Sequence, residues 1–162
     1  KQKTAYEIRP RDWSSDVCSS DLWFLSNRPG PVRTKLAPGL YGVSNGALDQ
    51  PWPKTLQLKT SLLEWIVAGA RHPEALLDTL RVETSPDIGL PPDQPSDVAQ
   101  EPSLSPIFIR NPVYGTRCST VVAIDAEGRG TIIERRFSPE GEATGDTSLA
   151  FSWPQEVAAS AV

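Results

Sequence analysis

Methionine is absent from the 162 residues, even at position 1, and the chain has two cysteines and one histidine. Two cysteines exclude a scaffold held together by disulfides, and one histidine excludes a histidine-rich metal site. No apolar run in this sequence approaches the ~20 residues of a membrane span, and none has the pattern of a signal peptide. We therefore predict a cytoplasmic protein without a metal or cofactor, and the missing methionine indicates a piece of a longer protein.

Positive charge is in short supply as well. The 16 basic and 20 acidic side chains leave a net charge of −4, which argues against a nucleic acid or an anionic membrane as partner. A net charge of −4 remains compatible with a small-molecule ligand as partner. The length suffices for one domain and falls short of two, and it leaves the oligomeric state open.

Residues 1–22 have almost no apolar content and no helical or strand period. The strings KQKTAYEI and RDWSSDVCSSDL look like conceptual translations of a standard sequencing adapter, and Arg9-Pro10 stands between them where a variable index would lie. The alternative is a genuine polar tail. We expect residues 1–22 to be a disordered artefact that is set aside from the fold, and residues 23–162 to be part of a single domain in which Cys118 is the only cysteine.

Apolar patterning in residues 23–162 changes from strand to helix and back to strand. We predict a loop over residues 31–38 between two short strands, then two helices that each begin at a proline, and finally a meander of three antiparallel strands. The predicted ranges are 23–26 and 39–45 for the first strands, 53–70 and 73–81 for the helices, and 120–125, 131–137 and 147–153 for the meander. This succession is typical of an α+β fold with antiparallel sheets.

Signatures of catalysis and metal binding are scarce. The sequence contains neither the GxGxxG nor the GxxxxGK[ST] nucleotide motif, and neither CxxC nor HExxH. His72, which precedes Pro73, is interpreted as a surface residue at a helix start rather than a general base. Cys118 follows Arg117, but neighbouring residues of a strand point to opposite faces. We therefore expect Cys118 to be buried in its strand rather than activated by that arginine.

Three polar side chains are candidates for a small-molecule site. Arg117 begins an apolar strand, where its guanidinium could hold a carboxylate, with an internal salt bridge as the alternative. Asn45 could offer its amide to an oxyanion, with turn capping as the alternative. Because side chains alternate along a strand, Ser119 is expected on the same strand face as Arg117. If the fold brings the two segments together, we expect a partly buried Arg117 near Asn45, and Cys118 packed among valine and isoleucine.

Five strings resemble the family named for its Asn-Arg-Asp-Glu motif, the NRDE family, which includes the transport and Golgi organisation protein 2 homologues. They are FLSNRPG, LYGVSNGALDQPWPK, LSPIFIR, YGTRCSTVVAID and ERRF. The resemblance spans about Trp23 to Trp153 and implies the αββα sandwich of Ntn hydrolases, of which this chain would be the C-terminal part. It also implies an N-terminal cysteine nucleophile and an NRDE motif. This chain has neither, since Asn27-Arg28 is followed by Pro29-Gly30.

The resemblance also suggests roles for two of the candidates. Ser44-Asn45 resembles the segment in choloylglycine-hydrolase-type enzymes whose asparagine binds the developing oxyanion, and Arg117 could match an arginine near their nucleophile. The intact protein is thus expected to hydrolyse or bind a small acyl or amide compound, whereas this piece has no catalytic residue and is expected to be inactive. The alternative is a non-catalytic protein of lipid or haem handling or of secretory-pathway organisation, so enzyme status stays open.

Overall fold

The computed structural model describes residues 22–27, 30–89 and 105–152. The expectation that residues 1–22 form a disordered artefact therefore lies outside the described residues, except at Leu22. That side chain is 59% exposed, and its carbonyl accepts a hydrogen bond of 2.8 Å from the Leu36 N–H.

The described chain is an α+β structure with two antiparallel sheets, as predicted. Strands β1 and β2 form a two-stranded sheet, and strands β3, β4 and β5 form a three-stranded sheet in that order. The helices α1 and α2 lie between the sheets in sequence and are separated by a single turn of 3₁₀ helix. The elements are β1 Trp23–Ser26, β2 Val32–Lys35, α1 Pro53–Val67, the 3₁₀ turn Pro73–Ala75, α2 Leu76–Thr79, β3 Cys118–Ile124, β4 Arg129–Phe137 and β5 Ala143–Ser152.

The predicted meander is confirmed, and two turns stabilised by side chains set its register. Asp125 Oδ1 accepts hydrogen bonds from the N–H groups of Glu127 and Arg129, at 3.0 and 2.9 Å. Ser138 Oγ accepts from two N–H groups of the turn between β4 and β5. Glycines with positive φ, Gly128 at 77° and Gly141 at 81°, complete the turns because residues with a Cβ rarely adopt that conformation.

The strand predicted at 39–45 is wrong, because the structure has only bends and irregular backbone there. The partner of β1 is instead β2, which lies in the predicted loop 31–38 and is the next segment able to return antiparallel to β1. Gly42 allows the loop 39–45 to lie close to α1. A Cβ on Gly42 would lie 2.2 Å from Cγ2 of Thr55 on α1, so this loop packs against the helix in place of a strand.

Helix α1 begins at Pro53 as predicted, whereas Pro73 begins the 3₁₀ turn rather than α2, and both helices end earlier than expected. Helix α1 ends at Val67, because Gly69 and Ala70 have φ values of 101° and 51° and leave the helical conformation. The second helix was expected to reach residue 81 as one element. It is divided into the 3₁₀ turn and α2, which ends at Thr79.

The core is small and lies between α2 and one face of the three-stranded sheet. Leu77, Val121 and Ile133 form its buried cluster, and Leu76 and Leu80 pack against it. We call this side of the sheet the helix face. The residues of the opposite side, here called the open face, include a cross-strand row of Val122, Ile132 and Leu149, in which Val122 is 57% and Leu149 60% exposed. A second sheet on the open face, as in an αββα sandwich, stays a prediction.

An aromatic and cationic cluster ties the end of α2 to the β4–β5 turn. The rings of Phe108 and Phe137 meet edge to face with centroids 4.7 Å apart. The guanidinium carbon of Arg81 lies 3.8 Å from the centroid of Phe108, and its Nη2 donates a hydrogen bond of 2.9 Å to the Gly141 carbonyl. Cation–π contact and hydrogen bonding thus hold the α2 end against the sheet.

Removal of the Leu77 side chain tests this description of the core. Leu77→Ala is expected to lower the free energy of unfolding by about 2–4 kcal/mol, because the side chain is 1% exposed. Leu149→Ala on the open face is the matched control and is expected to change it by less than about 0.5 kcal/mol. Urea unfolding followed by circular dichroism measures both values, and equal losses would contradict a core centred on Leu77.

Candidate functional site

A groove of about 340 Å³ lies between the loop 41–43, the two helices and the first half of β3. We call it the helix–strand groove. Residues with apolar side chains predominate in its lining: Leu58, Leu62, Leu76, Leu80 and Val121. The lining also includes Tyr41, Thr55, Lys59 and Thr79. From β3 it includes Thr120 and Val122, whose side chains belong to the open face by strand alternation. Apolar walls with a few polar groups are typical of sites for small organic ligands.

An ion pair fixes the loop that borders this groove. Asp49 has a φ of 59°, and its Oδ1 accepts hydrogen bonds of 2.8 Å from both the Gly42 N–H and Lys59 Nζ. The hydrogen bond from Lys59 lowers the pKa of the Asp49 carboxyl below its ordinary value, and the Gly42 N–H acts in the same direction. Because Lys59 is on α1, the loop and its helix are held together at the groove.

Three buried polar atoms occur close together in sequence at the start of α1. Trp52 Nε1, Thr55 Oγ1 and Gln57 Oε1 have no hydrogen-bond partner among the described residues. A buried polar group without a partner costs about 1–3 kcal/mol. This end of α1 is therefore not optimised for stability in the described part of the chain.

The predicted site residues lie around the groove but not in its lining. Asn45 is exposed in the loop that follows Val43. Arg117 is exposed too, where partial burial was expected, and its Nη2 donates to the Pro112 carbonyl at 3.2 Å. Ser119 is 7% exposed on the helix face of β3. Residues 41–43 and 120–122 of the two segments line one groove, but the assignment of Asn45, Arg117 and Ser119 to a site stays a prediction.

The expectation that Cys118 is buried is wrong, because its thiol is free and exposed. As the first residue of β3, it lies on the open face, which no helix of the described residues covers, and its cross-strand neighbour is Arg136. The interpretation of His72 as a surface residue is confirmed. His72 precedes the 3₁₀ turn, and its side chain is 80% exposed beside Glu74.

The pair Asp49 and Lys59 was missed by reasoning from the sequence. One signal was present. Lys59 follows Leu58 and precedes Leu62 by less than one turn, so it stands beside the apolar stripe of a helix. Lysine at such a border buries its hydrocarbon stem and keeps its ammonium in a polar environment.

Neither a metal-binding cluster nor a membrane-spanning helix occurs in residues 22–27, 30–89 and 105–152. Within these ranges no three side chains of the types His, Cys, Asp and Glu lie close enough to share a metal ion. Within the same ranges no helix has the length and apolar character needed to cross a membrane.

Sequence comparisons add relatives to this description. The family model for "Transport and Golgi organisation 2" matches residues 11–139, a range that begins inside the segment 1–22. The "Transport and Golgi organization protein 2 homolog" of Bos taurus is 36% identical over 122 residues, which cover 70% of this chain and 44% of the relative. The Homo sapiens protein of that name is 36% identical over 124 residues, with the same two shares. The chain thus spans less than half the length of these curated relatives.

Acid is expected to release the loop from α1. The folded-state pKa of Asp49 is lowered, so the stability that Asp49 contributes is present above its unfolded pKa of about 3.9 and is lost as the pH falls through the folded value. An NMR titration from pH 6 to pH 2 should show the Gly42 amide shifting with a midpoint below about 3.9.

Two variants complete this titration. Asp49→Asn should abolish the low-pH shift of the Gly42 amide, whereas Asp87→Asn, a change at an exposed carboxylate elsewhere, should leave it unchanged. A Gly42 amide that titrates in the same way in Asp49→Asn would show that another group holds the loop.

Proposed function

Since the chain belongs to the transport and Golgi organisation 2 family, we propose that it forms one side of a small-molecule site in the intact family domain, and that the ligand is an acyl or amide compound. The observation that carries this proposal is the helix–strand groove, whose lining combines leucine and valine residues with Lys59 and Tyr41. The names of the relatives refer to transport and Golgi organisation and do not specify a ligand.

The groove lining suits the two ends of an acyl compound. Each methylene group that moves from water to the leucine-lined wall contributes about 0.8 kcal/mol. The ammonium of Lys59 has three protons, and one of them is donated to Asp49 at 2.8 Å. An ammonium has two further protons, either of which can donate to a ligand carbonyl or carboxylate oxygen while the Asp49 pair is kept. The ligand head group is therefore expected beside Lys59, with its chain along α1.

Hydrolysis in the intact domain would require groups that the described residues do not bring into the groove lining. In the proposed Ntn-type αββα domain, the nucleophile is an N-terminal cysteine supplied from outside this chain. Asn45 would bind the oxyanion, and Arg117 would position the acyl group. The position of Asn45 and Arg117 on segments that flank the groove supports these roles.

Carriage of a lipid-like ligand without turnover is the second candidate. The apolar lining favours it, because binding of an acyl chain needs only the leucine and valine walls and one head-group contact. Both candidates require the same groove, and they differ in whether product is formed.

Binding of a fluorescent fatty acid, 11-(dansylamino)undecanoic acid, tests the shared step. Saturable binding is expected, and Leu62→Gln in the groove lining should weaken it about tenfold or more, because a buried amide lacks a partner there. Leu63→Gln is the matched control, since Leu63 is the next residue of α1 and is exposed. It should leave the dissociation constant within about twofold.

Lys59→Gln should weaken binding of this carboxylate probe and have a smaller effect on its methyl ester. Non-saturable binding, or equal losses in Leu62→Gln and Leu63→Gln, would contradict the proposal. Release of product from an N-acyl p-nitroanilide by the full-length gene product would favour hydrolysis, and binding without release would favour carriage.

A further inference from the structure

Strand β3 has an outer edge whose backbone groups can be assigned. The Phe137 N–H donates to the Arg117 carbonyl at 2.8 Å, and the Asp125 N–H donates to the Arg129 carbonyl at 2.9 Å. Both pairs join odd-numbered residues at the ends of the β3–β4 ladder, and hydrogen-bonded pairs alternate along an antiparallel ladder. The even-numbered residues of β3, including Val122 and Ile124, therefore direct their N–H and C=O groups away from β4. No strand among the described residues pairs with this edge.

A second groove lies between α1 and the end of the β3–β4 hairpin that includes Asp125. Its volume is about 610 Å³, and we call it the edge groove. Leu62, Trp65 and Ile66 of α1 line one side. The other side is lined by Val121–Ile124 of β3, by Asp125, and by Arg129, Gly130 and Thr131 of β4. It continues from the helix–strand groove, since both are lined by Leu62 and Val121. The gap between α1 and β3 is thus bounded by apolar side chains and by an unpaired strand edge.

The sequence of β3 resembles that of an interior strand. Residues Cys118–Ile124, CSTVVAI, contain no charge and no proline, and the β3–β4 register is regular with no bulge. Native edge strands are usually protected by lysine, proline or bulges. A strand that lacks all three and is rich in β-branched residues is typical of one with neighbours on both sides.

We propose that a further strand, contributed by the part of a full-length family protein outside this chain, pairs with the outer edge of β3 at Val122 and Ile124 beneath α1. The proposal depends on family membership and not on the acyl ligand. The length needed is available, since the chain covers only 44% of the bovine relative. Alternate residues of the added strand would contact Leu62 and Ile66, so an apolar strand fits. It would close the edge groove and leave the Lys59 end of the helix–strand groove open.

Peptides from the bovine relative test this proposal directly. Synthetic 15-residue peptides would be tiled across the part of that protein outside the aligned region and added to the ¹⁵N-labelled 162-residue chain. Hydrogen exchange measured by NMR should slow about tenfold or more at the Val122 and Ile124 amides with at least one peptide. The amides of Val121 and Ala123 already face β4 and should change much less.

Two proline variants separate strand addition from general stabilisation. Val122→Pro removes an outward N–H and should abolish the peptide effect at Ile124, while the three-stranded sheet persists because proline is tolerated where the N–H faces away from the ladder. Ala150→Pro removes an outward N–H from β5 at the opposite edge and is the matched control. It should preserve the effect, and circular dichroism should show similar strand content in both variants.

Four results would overturn the proposal. They are no slowing at Val122 and Ile124 with any peptide, slowing along β5 instead, an unchanged peptide effect in Val122→Pro, and slowing that depends on the concentration of the chain without peptide. The last result would assign the edge to a second copy of this chain. None of the four bears on whether the dansyl fatty acid binds, so the two proposals fail separately.

Discussion

The contact of Leu77 with Val121 and Ile133 is the interaction on which the rest of the structure depends. Helix α2 has only four residues, and a helix of that length has no independent stability in water. Burial of Leu77 fixes α2 on the helix face, and Leu76 and Leu80 then border the helix–strand groove. The α2 wall of the helix–strand groove therefore depends on the burial of the Leu77 side chain.

An aromatic stack and the ion pairs around it hold the elements that this small core does not reach. Arg81 at the end of α2 stacks on Phe108, which is fully buried. Arg110 donates hydrogen bonds to Glu83 and to Glu142 near the β4–β5 turn. Hydrogen bonds from Arg110 first, and then from Arg81, lower the pKa of Glu83. Exposed ion pairs contribute little individually, so the aromatic stack is the main anchor and the ion pairs orient the segment around it.

Elements that depend on contacts between residues close in sequence were predicted correctly, and those that depend on distant contacts were not. The β3–β4–β5 meander and the start of α1 at Pro53 depend on neighbouring residues and were correctly predicted. The strand expected at 39–45 was not found, because Gly42 meets Thr55 and Asp49 meets Lys59, contacts that strand periodicity does not encode. The alternation of side chains along a strand also shows only which residues share a face. It separated Cys118 from Ser119 correctly, but it could not show which face the helices cover.

The proposal that the helix–strand groove binds an acyl compound is tested most directly by methyl NMR. Titration of the chain with decanoate should shift the methyl signals of Leu58, Leu62 and Leu80 in the groove lining. The signals of Leu149 on the open face should not move. Shifts that saturate and are confined to the groove are the result that the account predicts. Shifts centred on Leu149, or no saturable shift at any methyl, would contradict it.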